Sequence, residues 1–187
     1  MIIENQLFEK AGIQTTLPAS REFENCTYRN CNFFNTDFSG YVFRECRFEE
    51  CDLSMVKLKN TTLNEVHFEG CKAVGVQFGE CNSFLLNLSF DKCDLKLSGF
   101  YRLKLKKVKF IACNLQEADF TSADLSQACL ADCDLQRAVF EMTVLEKADF
   151  RSAFNFNIDP ERNRIKKAIF SRNSIDGLLA KYNIEIE

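Results

Sequence analysis

The chain has 187 residues, 46% of them hydrophobic, and a formal net charge of −3. That length and apolar content suffice for one domain with a sizeable core, and so small a charge names no partner by itself. No apolar run approaches the ~20 residues of a membrane helix, so no membrane partner is expected, and the opening Met1-Ile2-Ile3-Glu4 lacks the basic stretch and apolar run of a signal peptide, which points to the cytoplasm.

In chain order, residues 1–20 read as an N-terminal cap and first strand segment. From Phe23 onward a large apolar residue recurs every fifth position through Phe38, Phe48, Leu58 and Phe68 to Leu88, then again from Leu95 through Phe100, Phe110 and Phe120 to Phe150. Of these 26 positions only Tyr28, Ala73 and Ser83 are neither Phe nor Leu. A period of five fits neither the 3.6 of a helix nor the 2 of a strand, so residues 21–152 read as a solenoid. The centres slip by two residues between Leu88 and Leu95, which reads as a small bulge there.

The cysteines set the size of a turn. Nine of the ten lie two residues before a centre, the exception being Cys129. Cys31, Cys51 and Cys71 are 20 residues apart, as are Cys93, Cys113 and Cys133. Four five-residue units per square turn therefore put all six in one wall as a buried ladder, with Ala118 and Ala123 filling the same slot elsewhere. The 26 units then make about 6.5 turns and a rod of roughly 31 Å at the ordinary strand spacing. Close Cys-x2-Cys clusters are missing, so neither zinc nor thioredoxin-like chemistry is expected, and the thiols read as small buried hydrophobes.

Sorted by wall, Phe38, Leu58, Phe78, Phe100, Phe120 and Phe140 face Tyr28, Phe48, Phe68, Leu88, Phe110, Leu130 and Phe150, predicting rings that stack along the axis. Charge is unevenly distributed: residues 93–111 carry 6 basic side chains and 1 acidic, while residues 112–157 carry 3 and 8. Lys96, Arg102, Lys104, Lys106, Lys107 and Lys109 could neutralise phosphates, but the cluster is short and flanked by acidic turns. It reads as a solvated face, with no direct nucleic-acid binding expected.

Catalysis finds little material. The single histidine, His67, occupies a slot filled elsewhere by Asp37, Asp52, Asp119 and Asp124, where short polar side chains can hold corners by bonding backbone. An enzyme using His67 with Glu65 and Glu69 is the weakest reading. No catalytic, metal or cofactor residues are assigned.

Residues 153–187 read as a last coil, a helix and a tail. Asp159-Pro160 marks a turn and Ala168-Ile169-Phe170 a final unit. Ser174 is the expected N-cap of a short helix with Ile175, Leu178, Leu179 and Tyr182 on one stripe, before an Ile184-Glu185-Ile186 strand. These six apolar residues, Ile175, Leu178, Leu179, Tyr182, Ile184 and Ile186, are the expected dimer interface; an end cap is the alternative role, because an open solenoid exposes unpaired backbone.

The units Ala118-Asp119-Phe120-Thr121-Ser122, Ala123-Asp124-Leu125-Ser126-Gln127 and Ala148-Asp149-Phe150-Arg151-Ser152 resemble the A(D/N)LXX signature of pentapeptide-repeat proteins. The resemblance implies an all-β fold, a right-handed quadrilateral β-helix, here with a short C-terminal helix. Cys51-Asp52-Leu53-Ser54-Met55 and Cys71 to Phe78 are similar to the Qnr group, and Phe156 to Ile165 resembles a segment of the microcin-immunity pentapeptide protein. Those relatives imply a non-enzymatic homodimer, joined tip to tip through its tail, that protects DNA gyrase or topoisomerase IV from quinolones or toxins by mimicking duplex DNA. The chain departs from Qnr proteins of Gram-negative bacteria in lacking the first of two projecting loops, with only the two-residue slip in place of the second. An interaction scaffold with an unrelated protein partner is the alternative.

Overall fold

The computed structural model of the chain describes residues 2–10 and 20–185. Its backbone is a β-solenoid of about eight turns with parallel pairing throughout. The register is the 20-residue turn, as in Glu22↔Val42 and Thr27↔Arg47. The core register extends past the 26 units at both ends: Ile2–Glu4 and Leu7–Glu9 pair onto Glu22–Glu24 and Thr27–Arg29, and Ile169–Phe170 pairs onto Asp149–Phe150.

Most corners are made by a residue in the left-handed region two places after a centre, as at Asn25, Asn30, Asn35, Gly40, Glu45 and Glu50. Left-handed backbone costs an L residue roughly 1–2 kcal/mol, and the ladder offsets it. The amide of that residue bonds the next coil, Asn35 N–H to Ser54 O at 2.9 Å and Asn30 N–H to Glu49 O at 2.9 Å. The slot before the centre supplies a second brace. There Asp37 Oδ1 accepts from Ser39 N–H at 2.8 Å, and Asp119 Oδ1 accepts from Thr121 N–H at 2.8 Å. Hydrogen bonding from the Ser39 side chain and backbone amide holds the Asp37 carboxyl below its ordinary value.

The second wall is a nine-stranded parallel sheet whose centres run Phe8, Tyr28, Phe48, Phe68, Phe90, Phe110, Leu130, Phe150 and Phe170. Here the structure corrects the sequence register. Val66–Glu69 pairs with Leu88–Asp91 so that Phe68 faces Phe90, while Leu88 faces Val66 in the small-residue slot. The two extra residues therefore lie before Leu88, not after it: Asn82 N–H bonds Thr61 O and Asn87 N–H bonds Leu63 O, so the intervening residues bulge. Ser83, expected as a centre, is exposed, and Leu86 packs partly against the core in its stead. A serine gains nothing from burial and a leucine does.

The bulge interrupts the first wall. Its four-stranded sheet ends at Thr62–Asn64, and bridges resume at Lys104↔Asp124. Beyond the slip, Lys72 pairs with Asp94, which keeps Cys71 and Cys93 on one wall. Inside, Phe78, Phe100, Phe120 and Phe140 stack at 5.0 to 5.2 Å and meet the second wall edge-on, as Phe100 meets Phe110 at 5.6 Å.

Candidate functional site

The buried slot two residues before each centre is more than a place for small hydrophobes. Cys31, Cys51, Cys71, Cys93, Cys113 and Cys133 are buried on the third wall. Their thiols donate to backbone: Cys51 Sγ to Tyr28 O at 3.3 Å, Cys71 Sγ to Phe48 O at 3.2 Å, Cys133 Sγ to Phe110 O at 3.4 Å. Thr61 and Thr143 make the same bond from the first wall, to Phe38 O at 2.8 Å and Phe120 O at 2.9 Å. The slot thus accepts a small donor that ties one coil to the preceding one. Threonine and serine in it, Thr61, Ser98 and Thr143, were the available sequence signal. Burial pushes the Cys46 and Cys81 thiols up to about 12.

His67 lies on the outside of the second wall. Its Nδ1 hydrogen-bonds Ser89 Oγ on the next coil at 2.7 Å, and Nε2 lies 4.0 Å from the Glu69 carboxylate. Glu65 borders the adjoining shallow cleft with Glu45 and Arg47. Among the described residues no group of three or more His, Cys, Asp or Glu side chains could hold a metal ion.

The C-terminal end is closed by a cap. Ser171, not Ser174, is the N-cap: its Oγ accepts from Asn173 N–H at 3.2 Å at the head of a 3-10 segment, Arg172–Leu178, followed by Ala180–Tyr182. Ser174 lies inside the segment with φ −131°, at a kink. The kink and the tighter winding break the expected single stripe. Leu178 packs on the core while Ile175, Tyr182 and Ile184 are exposed, and Leu179 is half-buried. Ile184 and Glu185 form no strand, and Ile186 lies outside the described residues. Polar contacts dock the cap: Ile158 N–H bonds Gly177 O at 2.9 Å, Lys181 Nζ reaches Asp159 at 2.8 Å and Glu161 at 2.7 Å, and the Tyr182 hydroxyl donates to Glu161 Oε1 at 3.3 Å.

Charge is segregated on the first wall. Before the interruption its outer side chains include Glu4, Glu22, Glu24, Glu45 and Glu65, with Arg21 and Arg44. Beyond it stand Lys104, Lys106, Lys107, Lys147, Arg164, Lys166 and Lys167, with Asp124 and Glu146. Between the halves is an open cleft of about 720 Å³ lined by Glu65, Leu86, Lys104, Lys106 and Lys107 among others. Lys96 and Lys109, part of the same sequence cluster, lie on the third and second walls. Apolar side chains also face outward, Phe34 at 51% and Tyr101 at 43% exposure.

A coiled β-rod with a five-residue corner repeat defines a class. The model of the pentapeptide repeat region matches residues 21–100 and 83–152, and the chain belongs to this family. Among solved structures, a trypsin-treated variant of QnrB1, a plasmid-mediated fluoroquinolone resistance protein, has the same fold, with a TM-score of 0.65 at 18% identity over 100% of both chains. A second trypsin-treated variant of QnrB1 gives 0.65 at 16% identity, covering 100% of this chain and 99% of that one. HetL, from the cyanobacterium Nostoc, is more distant, with a TM-score of 0.37 at 19% identity over 90% of this chain and 86% of its own. No curated protein matches the sequence. Among the described residues no helix is long and apolar enough to cross a membrane.

Proposed function

We propose that the chain is a non-enzymatic cytoplasmic protein that binds DNA gyrase or topoisomerase IV and protects it from quinolone or toxin inhibitors. The observation that carries this reading is the likeness to QnrB1 over the full length of both chains, rod and cap together. Free thiols such as Cys46, Cys51, Cys71 and Cys93 suit a reducing compartment. The exposed Ile175, Tyr182 and Ile184 at the tip support pairing of two rods through the cap, as an isologous contact. Mimicry of duplex DNA, in this reading, belongs to the acidic N-terminal half of the first wall, where Glu4 pairs with Glu24 and Glu65 follows Glu45 by one coil.

Gyrase supercoiling and quinolone-induced cleavage assays with the purified protein test it. Reduced drug-dependent cleavage at stoichiometric protein is the expected result; cleavage unchanged at large excess for both enzymes refutes it. The second reading, a scaffold for an unrelated protein, is favoured by the outward Phe34 and Tyr101.

A further inference from the structure

We infer that the basic half of the first wall binds the phosphate backbone of duplex DNA. In sequence its cations are two separate groups, Lys104 to Lys107 and Lys147 to Lys167. The 20-residue coil brings them together, because Lys104 bridges Asp124, Asp124 bridges Val144, and Val144 bridges Arg164. Four adjacent rungs thus carry seven cations within about 14 Å of rod at the strand spacing. Two carboxylates oppose them: Asp124 lies 3.5 Å from Lys106, and Glu146 lies 2.7 Å from Arg164. Lys104, Lys107, Lys147, Lys166 and Lys167 form no ion pair among the described residues, and all five are exposed.

The chemistry of the patch selects the ligand. Six of the seven cations are lysines, compact point charges on flexible stems, suited to a phosphate backbone rather than to bidentate recognition of fixed carboxylates. The outer positions of these rungs hold none of the exposed large apolar side chains that anchor protein interfaces. Duplex DNA presents one charge per about 1.7 Å of axis, so about 14 Å of it carries roughly eight phosphates, of which the half facing the rod allows three to four contacts. The acidic half beyond the interruption repels a duplex extending along the whole rod, so the contact is confined to the basic rungs. The inference does not depend on which protein the rod binds.

Fluorescence anisotropy with a labelled mixed-sequence duplex two helical turns long tests it. For three to four neutralised phosphates, affinity should fall roughly 40- to 150-fold between about 50 and 200 mM salt. The combined variant Lys104→Glu, Lys107→Glu, Lys147→Glu, at exposed positions and checked for an unchanged thermal melt, should lose at least about tenfold in affinity at the lower salt. Lys57→Glu with Lys59→Glu, on the wall of Phe38, Leu58 and Phe78, should bind within about twofold of wild type. Absence of binding at protein concentrations up to about 10⁻⁴ M in low salt overturns the proposal. Equal binding by the three-lysine variant does so too, and so does sedimentation showing that the basic rungs are covered by a second copy of the chain.

Discussion

Phe68 lies directly against Phe90 on the next coil, with ring centroids 5.1 Å apart and planes 10° from parallel. The same stack continues from Phe90 to Phe110 at 5.1 Å, so a coil with two extra residues leaves the aromatic column unbroken. The insertion is absorbed on the first wall, where the ladder is broken and Ser83 points to solvent. Replacing Phe90 by Ala should therefore cost about 3–5 kcal/mol, as for other buried rings. Ser83→Ala should change stability by less than about 0.5 kcal/mol. Urea titrations of both variants check the register, and a large effect at Ser83 would restore it as a core position.

The periodicity made the solenoid, the 20-residue turn and the cysteine wall legible because each coil repeats the same steric demand. What it could not place was the slip. Leu88 and Phe90 are both buried and apolar, so a pattern of large residues fits either, and only pairing with Val66 and Phe68 decides between them. The basic face was hidden for another reason: Lys104 and Lys167 are far apart in sequence, and Arg164 to Lys167 lie beyond Ser152, where the five-residue pattern fails although the coil continues. The tail misled through its period. Helical spacing put Ile175 and Leu178 on one stripe, whereas a kinked 3-10 segment turns Leu178 to the rod and leaves Ile175 in solvent.

Ala73 is the one small residue in its wall's column of centres, between Leu53 and Leu95. A small void borders it, lined also by Leu53, Leu58 and Phe78. Ala73→Leu should fill this space and raise stability by about 0.5–2 kcal/mol, the usual gain from filling a cavity. A lowered denaturation midpoint would mean that the surrounding rings leave no room for the added carbons.

Gly177 seats the cap. A Cβ there would overlap the Phe156 carbonyl oxygen and come within 2.6 Å of its ring. Phe156 in turn covers Phe150 and Phe170, at 5.9 and 5.5 Å, so neither can yield freely. Gly177→Ala should destabilise by about 1–3 kcal/mol through overpacking and speed tryptic cleavage after Arg172 and Lys181, with the repeats still folded by circular dichroism. Wild-type protease resistance in the variant would show that the cap shifts without strain.

Alkaline stability should report the buried thiols. The Cys46 and Cys81 thiols titrate near 12 when folded, because burial disfavours the thiolate, against about 8.5 in an unfolded chain. The folded state therefore keeps protons that the unfolded state releases. The stability is fully present below about pH 8.5 and is lost as pH rises toward 12, at about 1.4 kcal/mol per pH unit for each thiol. Cys46→Ala, a residue already accepted in equivalent slots at Ala128 and Ala148, should flatten that loss. Urea midpoints at neutral and alkaline pH compare the two proteins, and parallel declines would assign the alkaline limb to other groups.

The tail prediction joins structure to function. Leu178 packs on the rod, so a charge there would damage the cap itself, whereas Ile175 and Ile184 are 42% and 56% exposed and free to meet a second rod. In a tip-to-tip dimer, Ile175→Asp with Ile184→Asp buries two unpaired charges in each protomer's share of the contact, which the contact cannot compensate. The variant should be monomeric by light scattering and keep the wild-type melting profile of the repeats. On the proposed function, a two-fold symmetric topoisomerase would engage both rods at once, and the monomer should then protect the enzyme far less well, since linked contacts become separate weak ones. Light scattering and the drug-dependent cleavage assay, run on the same preparation, separate the two steps. A wild-type monomer disproves the tip contact, and a monomeric variant that protects as well as wild type disproves the need for two rods.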